Sequence, residues 1–214
     1  MKSFNIVCLG LSFFLYLTSH LADACSCARL PVSKNIVCGS SYAIKAKVLR
    51  KERDVIQDGF PGFQQNVSVY TVKIFKDYKN ANSYLGTQKI YTGENSAACG
   101  VNLKLKEVYL LTGSIRNKKW WIELCGGGYQ ETSTLSAFQK RALKRGIYQK
   151  NCDCQTRYCG ASQGDPKCSA QERSECLVTE NSDCFRKNNA CVNVNGRCQW
   201  LTQACQGNPY SPGK

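Results

Sequence analysis

Apolar and polar side chains alternate from residue 41 to 48. Tyr42, Ile44, Ala46 and Val48 interleave with Ser41, Lys45 and Lys47, and a period of two predicts a strand with one buried face. A second strand is predicted over Val67–Phe75, with Tyr70, Val72 and Ile74 on one side, and a short third over Gln88–Thr92. Val108–Thr112 and Lys119–Cys125 read as a hairpin turning through Gly113–Asn117. Glu52–Gln65, polar and carrying Gly59, Pro61 and Gly62, reads as a long projecting loop. The period then changes. Leu135, Phe138, Ala142 and Leu143 share one face of a helix that starts at Ser133 or Thr134 and stops at Gly146. Five short strands followed by a helix predict a mainly β fold, a five-stranded barrel of OB type with the helix on its C-terminal side.

The cysteines divide the rest of the argument. There are 15 in 214 residues, beside a single His, His20. Residues 1–24 carry Lys2, an apolar run from Ile6 to Leu17 and a small-x-small site, Ala22-Asp23-Ala24. That is the layout of a secretory signal, and the run falls short of the roughly 20 residues a membrane span needs. Cleavage after Ala24 would remove Cys8 and His20, leaving an even set of cysteines in an oxidising compartment, which reads as a disulfide framework. The expected protein is therefore secreted and extracellular. Asn66-Val67-Ser68 is its glycosylation sequon, with Asn66 the acceptor. Six cysteines spread over 25–152, a stretch able to bury its own core, and eight crowd between Cys154 and Cys205. We therefore expect a barrel domain over 25–152 and a small disulfide-rich subdomain over 153–214.

A chain without His after cleavage cannot build a Ser-His-Asp triad, a Cys-His pair or an H-E-x-x-H zinc site. Glu94, Glu107, Glu123 and Glu131 lack the paired spacing of a glycosidase, and Gly126-Gly127-Gly128 lacks the G-K-[ST] ending of a phosphate loop. That glycine run reads as a flexible link between strand and helix. No enzyme is expected. Net charge is +14, with Lys140, Arg141, Lys144 and Arg145 on the polar side of the helix and Lys104, Lys106, Lys118 and Lys119 elsewhere. Nucleic acid is an unsuitable partner for a secreted chain. Two readings of the charge stand, a solvated surface and a face for sulfated glycans. Trp120 and Trp121, adjacent in a strand, must point to opposite faces, one into the core and one toward the surface.

Cys25-Ser26-Cys27 carries the chemistry. After cleavage Cys25 would be the first residue, its α-amine and carbonyl disposed to chelate a metal, with an ordinary amine pKa of about 7.7–8.0. Here the chain resembles the tissue inhibitors of metalloproteinases, a netrin-like family. The likeness rests on this terminal C-x-C, Cys38, Ala43-Ile44-Lys45-Ala46-Lys47, Ala98-Cys99-Gly100, Leu110-Leu111-Thr112-Gly113, Cys152-Asp153-Cys154, Glu175-Cys176-Leu177 and Cys198-Gln199-Trp200.

The resemblance implies that Cys25 would chelate the catalytic zinc of a target protease and displace the water that serves as nucleophile. Ser26 would enter the S1′ pocket. Cys27, Ala28 and Arg29 would lie along the cleft, with Ser96, Ala97, Ala98 and Cys99 beside them. No cofactor of its own is implied, and the partner would be a secreted or cell-surface zinc metalloproteinase held 1:1 by a monomer. The implied bridges are Cys25–Cys99, Cys27–Cys125, Cys38–Cys152, Cys154–Cys205, Cys159–Cys168 and Cys176–Cys198. Cys184 and Cys191 lie outside the family's six bridges and are expected to form a seventh. The family's His-Pro-Gln stretch is replaced by Arg29-Leu30-Pro31-Val32-Ser33-Lys34, and Gly126-Gly127-Gly128 stands where a Trp is usual. The alternative reading is a non-inhibitory cationic netrin-like module that binds matrix glycans or a growth factor.

Overall fold

The computed structural model describes residues 25, 27, 32–57, 64–79, 85–159, 168, 171–178, 182–203 and 205. Strands β1 (Tyr42–Gln57), β2 (Gln64–Asp77), β3 (Thr87–Gly93), β4 (Val108–Arg116) and β5 (Lys119–Trp121) form a ring. Around it the order is β1-β2-β3-β5-β4, and β4 returns to pair with β1. All contacts are antiparallel except β3 with β5, where Ile90 faces Trp120. β1 closes the ring because it serves two neighbours: Tyr42–Lys47 face β4 while Ile44–Gln57 run along β2. Register shifts at Lys45/Ala46 and Val48/Arg50 bend it, as closure of a small barrel requires. The alternating apolar residues read from sequence, Tyr42, Ile44, Ala46 and Val48 with Tyr70, Val72 and Ile74, fill the interior.

Three local expectations are corrected. Of the expected loop Glu52–Gln65, Glu52–Gln57, Gln64 and Gln65 are not loop but, with Asn66–Val69, the far end of the β1–β2 hairpin; residues 58–63 lie outside the description. Most of these residues are exposed on both faces, so the backbone ladder makes the strand without leaving an alternating pattern. Gly113 lies inside β4, and the turn falls at Asn117 and Lys118, both with positive φ (49° and 61°), the geometry of a tight hairpin. A side chain at Gly113 would run into the Trp121 carbonyl and the Tyr42 ring, so this glycine serves close packing. Gly128 opens a sixth strand, β6 (Gly128–Glu131), on β4. It donates to Thr112 Oγ1 at 2.8 Å.

Both tryptophans have apolar company. Trp120 is half-buried and stacks on Tyr42 inside the barrel at 4.5 Å between ring centroids. Trp121 points outward and is nevertheless buried, covered by Ile56, Val67 and Val69. The reading that one of the pair reaches the surface is thus overturned by the long hairpin.

Helix α1 (Lys34–Gly39) was not legible in the sequence, and α2 (Ala137–Lys144) was. The N-cap of α2 is Ser136 rather than Ser133 or Thr134, which lie in a preceding 3-10 turn. Ser136 Oγ accepts from the Gln139 N–H (3.0 Å) and its own N–H donates to Gln139 Oε1 (2.7 Å), a capping box. Gly146, at φ +70°, ends the helix as expected. Phe138, Ala142 and Leu143 pack over Ala43 and Leu110, and Ala190 and Val192 join the same cluster.

Beyond Cys152, β7 (Gln155–Tyr158) runs parallel to β8 (Glu175–Val178), α3 spans Ser182–Asn188, and β9 (Cys191–Val194) and β10 (Arg197–Trp200) form a hairpin. Cys159–Cys168 is present as the resemblance implied. The other three bridges are Cys154–Cys198, Cys176–Cys191 and Cys184–Cys205, replacing Cys154–Cys205, Cys176–Cys198 and Cys184–Cys191. The hairpin register explains the exchange. Cys191 faces Trp200 and Cys198 faces Asn193, so the two are staggered and each reaches a different sulfur beneath. Cys154, Cys176, Cys191 and Cys198 share one buried cluster under Trp200. Cys184, on α3, is left for Cys205.

Candidate functional site

Cys25 and Cys27 belong to no helix or strand, so other elements must position them. Cys25 is half-buried and Cys27 exposed. Their bridges run to Cys99 and Cys125, with Cα–Cα separations of 5.4 and 5.6 Å. The two anchors are themselves joined, since Leu124 N–H donates to the Cys99 carbonyl at 2.9 Å. The sulfurs of Cys25, Cys99 and Cys125 consequently lie within 4.8 Å of one another. They are all disulfide-bonded, so this cluster offers no thiolate for a metal, and the same holds for Cys154, Cys191 and Cys198.

Ser96, Ala97 and Ala98 stand exposed on the loop that carries Cys99. That loop is compact: Gly100 N–H donates to Asn95 O (2.8 Å), Cys99 N–H to Ser96 O (3.0 Å) and Ala98 N–H to Asn95 Oδ1 (3.0 Å). Buried Thr92 Oγ1 accepts from Val101 N–H at 2.9 Å and fixes the loop's exit. The structure thus gathers Cys25, Cys27 and Ser96–Cys99 at one end of the barrel. Ser26, Ala28 and Arg29 lie outside the described residues, as does the segment containing the expected cleavage site.

Immediately downstream the chain is described again and held on both sides. Val32 N–H donates to Gln130 Oε1 (3.1 Å), and Val32 O accepts from Gln139 Nε2 (2.7 Å). Lys34 is buried, and its ammonium donates to the carbonyls of Asn151, at 3.1 Å, and Cys154. Burial lowers its pKa to about 8 against the opposing pull of Asp153. Cys38–Cys152 completes the attachment. Sequence reasoning missed Gln130 and Lys34, which act across the fold on backbone atoms and leave no motif. It also missed Asn95 and Gln139, whose local signals, an Asn three residues before Ala98 and a Ser-x-x-Gln capping box, went unread.

Asn66 is exposed on β2, opposite Val55, and lines an open groove with Arg53, Asp54 and Glu94. Of the basic residues, Lys140, Arg141, Lys144, Arg145, Lys106 and Lys118 are exposed. Lys104 pairs with Glu131 at 3.0 Å, and Lys119 lies over the Tyr91 ring. The barrel wall adds a feature that linear reading overlooked: Lys45 stands opposite Lys76, and Lys47 opposite Lys73. Directly opposed like charges are unfavourable in a sheet. Among the described residues none of these four lysines has an ion-pair partner.

The family model described as tissue inhibitor of metalloproteinase matches residues 23–200. The chain belongs to that family. Metalloproteinase inhibitor 4 of Rattus norvegicus is 34% identical over 162 residues, covering 74% of this chain and 68% of the relative. Metalloproteinase inhibitor 2 of Canis lupus familiaris is 33% identical over 195 residues, covering 86% and 84% respectively. The family is one of protease inhibitors rather than enzymes. No helix among the described residues is long and apolar enough to cross a membrane.

Proposed function

We propose that this protein is a secreted, stoichiometric inhibitor of zinc metalloproteinases of the matrix type. Residues 25–152 form the inhibitory domain and 153–214 a stapled companion. Removal of residues 1–24 makes Cys25 the N-terminus, and its amine and carbonyl then chelate the target's zinc. The metal's water is displaced, and with it the activated hydroxide that hydrolysis requires. Ser26 fills the S1′ pocket, Cys27, Ala28 and Arg29 follow the cleft, and Ser96–Ala98 flank them.

The observation that carries this reading is the double clamp. Two bridges two residues apart fasten the terminus to two segments joined by a backbone hydrogen bond. A wedge so fastened has little ordering entropy left to lose on binding. The amine must be neutral to bind zinc, which a terminus of ordinary pKa achieves at modest cost near neutral pH.

The test is a titration of the protein beginning at Cys25 against a matrix metalloproteinase and a disintegrin-type metalloproteinase. A variant with one Ala added before Cys25 runs beside it. We expect 1:1 loss of activity that disappears with the added residue while thermal unfolding stays the same. Equal inhibition by the extended protein would refute chelation.

The opposed lysine pairs favour a second, compatible role in binding sulfated glycans. Their mutual repulsion is relieved when a polyanion neutralises them. Retention on immobilised heparin should fall when Lys47 and Lys73 are both changed to Gln, and retention equal to the parent's would remove the wall from consideration.

A further inference from the structure

We propose that Asn95 is a positioning residue for the inhibitory terminus, setting where Cys25 stands without touching the target's metal. The inference rests on the chelation reading above. Cys25 hangs by its sulfur from Cys99, so the accuracy of its placement is inherited from the Cys99 backbone. That backbone is left-handed, at φ 55°, a conformation that a residue with a side chain adopts only when its surroundings impose it.

The imposition comes mainly from one residue. Three successive N–H groups, those of Ala98, Cys99 and Gly100, turn inward, and Asn95 accepts two of them, through Oδ1 and through its carbonyl. The glycines on either side make this possible. A side chain at Gly93 would strike the Ala98 carbonyl, and one at Gly100 would strike the carbonyls of Gly93 and Asn95. The nearby Arg53–Glu94 pair, 3.4 Å apart with Arg53 largely in water, is too exposed to hold the loop in its place. Removing the Asn95 amide would leave Ala98 N–H to solvent and loosen Ala97–Cys99, which the backbone bonds from Cys99 N–H to Ser96 O and from Gly100 N–H to Asn95 O would then hold alone. The barrel, whose core does not include the loop, would be intact.

The experiment compares full-length protein starting at Cys25 with Asn95→Ala and Asn95→Asp, the latter keeping an Oδ1 acceptor. Asn95→Ala should raise the inhibition constant about tenfold, mostly through faster dissociation, because a loosened wedge must be reordered on binding. The thermal midpoint should move by no more than about 2 °C, a shift well under that of a core change. Asn95→Asp should recover the parent's constant to within about twofold, the acceptor being restored. Amide exchange at Ala98–Gly100, measured without protease, should quicken in Asn95→Ala and recover in Asn95→Asp. Unchanged exchange, an unchanged constant in Asn95→Ala, or an Asp variant as weak as the Ala variant would each overturn the role. The Ala-extended parent keeps the two ideas apart. Undiminished inhibition by that protein refutes chelation alone, and the exchange data still decide whether Asn95 orders the loop.

Discussion

Lys34 shows what one side chain can do to fasten the chain that follows the C-x-C pair. Its ammonium satisfies the carbonyls of Asn151 and Cys154 from the first turn of α1, tying the stretch after the C-x-C pair to the chain on both sides of Cys152. Its pKa is lowered by burial to about 8, from an ordinary value near 10.5. Between those two values the unfolded chain binds the proton and the folded one does not, so stability must rise with pH through that window and be flat below it. Above about pH 10 the trend reverses. Buried Tyr42 and Tyr148 are held protonated by desolvation, and their ionisation then favours the unfolded chain. Chemical denaturation from pH 7 to 10 should show the rise, and Lys34→Met should lose it. At pH 7 that variant should be less stable by about 1–3 kcal/mol, because two buried acceptors lose their donor. A variant that kept the rise would assign it to another group.

Among the elements, those whose residues alternate or recur at helical spacing were legible, and those made by the backbone alone were not. Tyr42 to Val48 announced β1 because every second residue fills the barrel. The outer half of the same strand announced nothing, since Arg50–Val55 face water on both sides. Gly113 and Gly128 misled as turn and linker because a glycine required for close approach looks the same in sequence as one required for bending. Cys25 and Cys27 stood out by their pattern and Ser96–Cys99 were named through the family resemblance, but the elements that hold them were not legible. α2 illustrates the gap. Gln139 closes the capping box through Oε1 and pins Val32 through Nε2, two tasks on one buried side chain that helical spacing does not reveal. The tasks can be separated. Gln139→Ala should cost about 2–3 kcal/mol in chemical denaturation, since it removes the reciprocal half of the capping box, the acceptor for Ser136 N–H, together with the Val32 partner. Gln139→Glu retains the Oε1 acceptor and loses the donor. It should keep the helix while weakening inhibition, and equal inhibition by Gln139→Glu and the parent would show that the Val32 pin does not reach the terminus.

At the scale of the whole molecule, the seven bridges form two sets with different tasks. Cys25–Cys99, Cys27–Cys125 and Cys38–Cys152 each have one end within 14 consecutive residues and the other 74 to 114 positions away. They fasten a single short segment at three points, two on the barrel's loops and one just after the turn that follows α2. Cys154–Cys198, Cys159–Cys168, Cys176–Cys191 and Cys184–Cys205 never leave the C-terminal stretch, where short strands bury too little apolar surface to stand unaided. If the sets are independent, deleting an internal bridge should damage only its own region. Cys176→Ala with Cys191→Ala should lower the stability of that region by about 2–5 kcal/mol, visible as faster amide exchange in β7 to β10. The inhibition constant, which depends on the other set, should stay the same. The pairing itself is open to direct measurement by proteolysis and mass spectrometry of unreduced peptides. Fragments joining Cys154 to Cys198 and Cys184 to Cys205 are expected, because the staggered β9–β10 register leaves Cys191 for Cys176. A fragment joining Cys154 to Cys205 would mean that the hairpin packs in a different register from the one described, and the buried sulfur cluster under Trp200 would have to be redrawn with it.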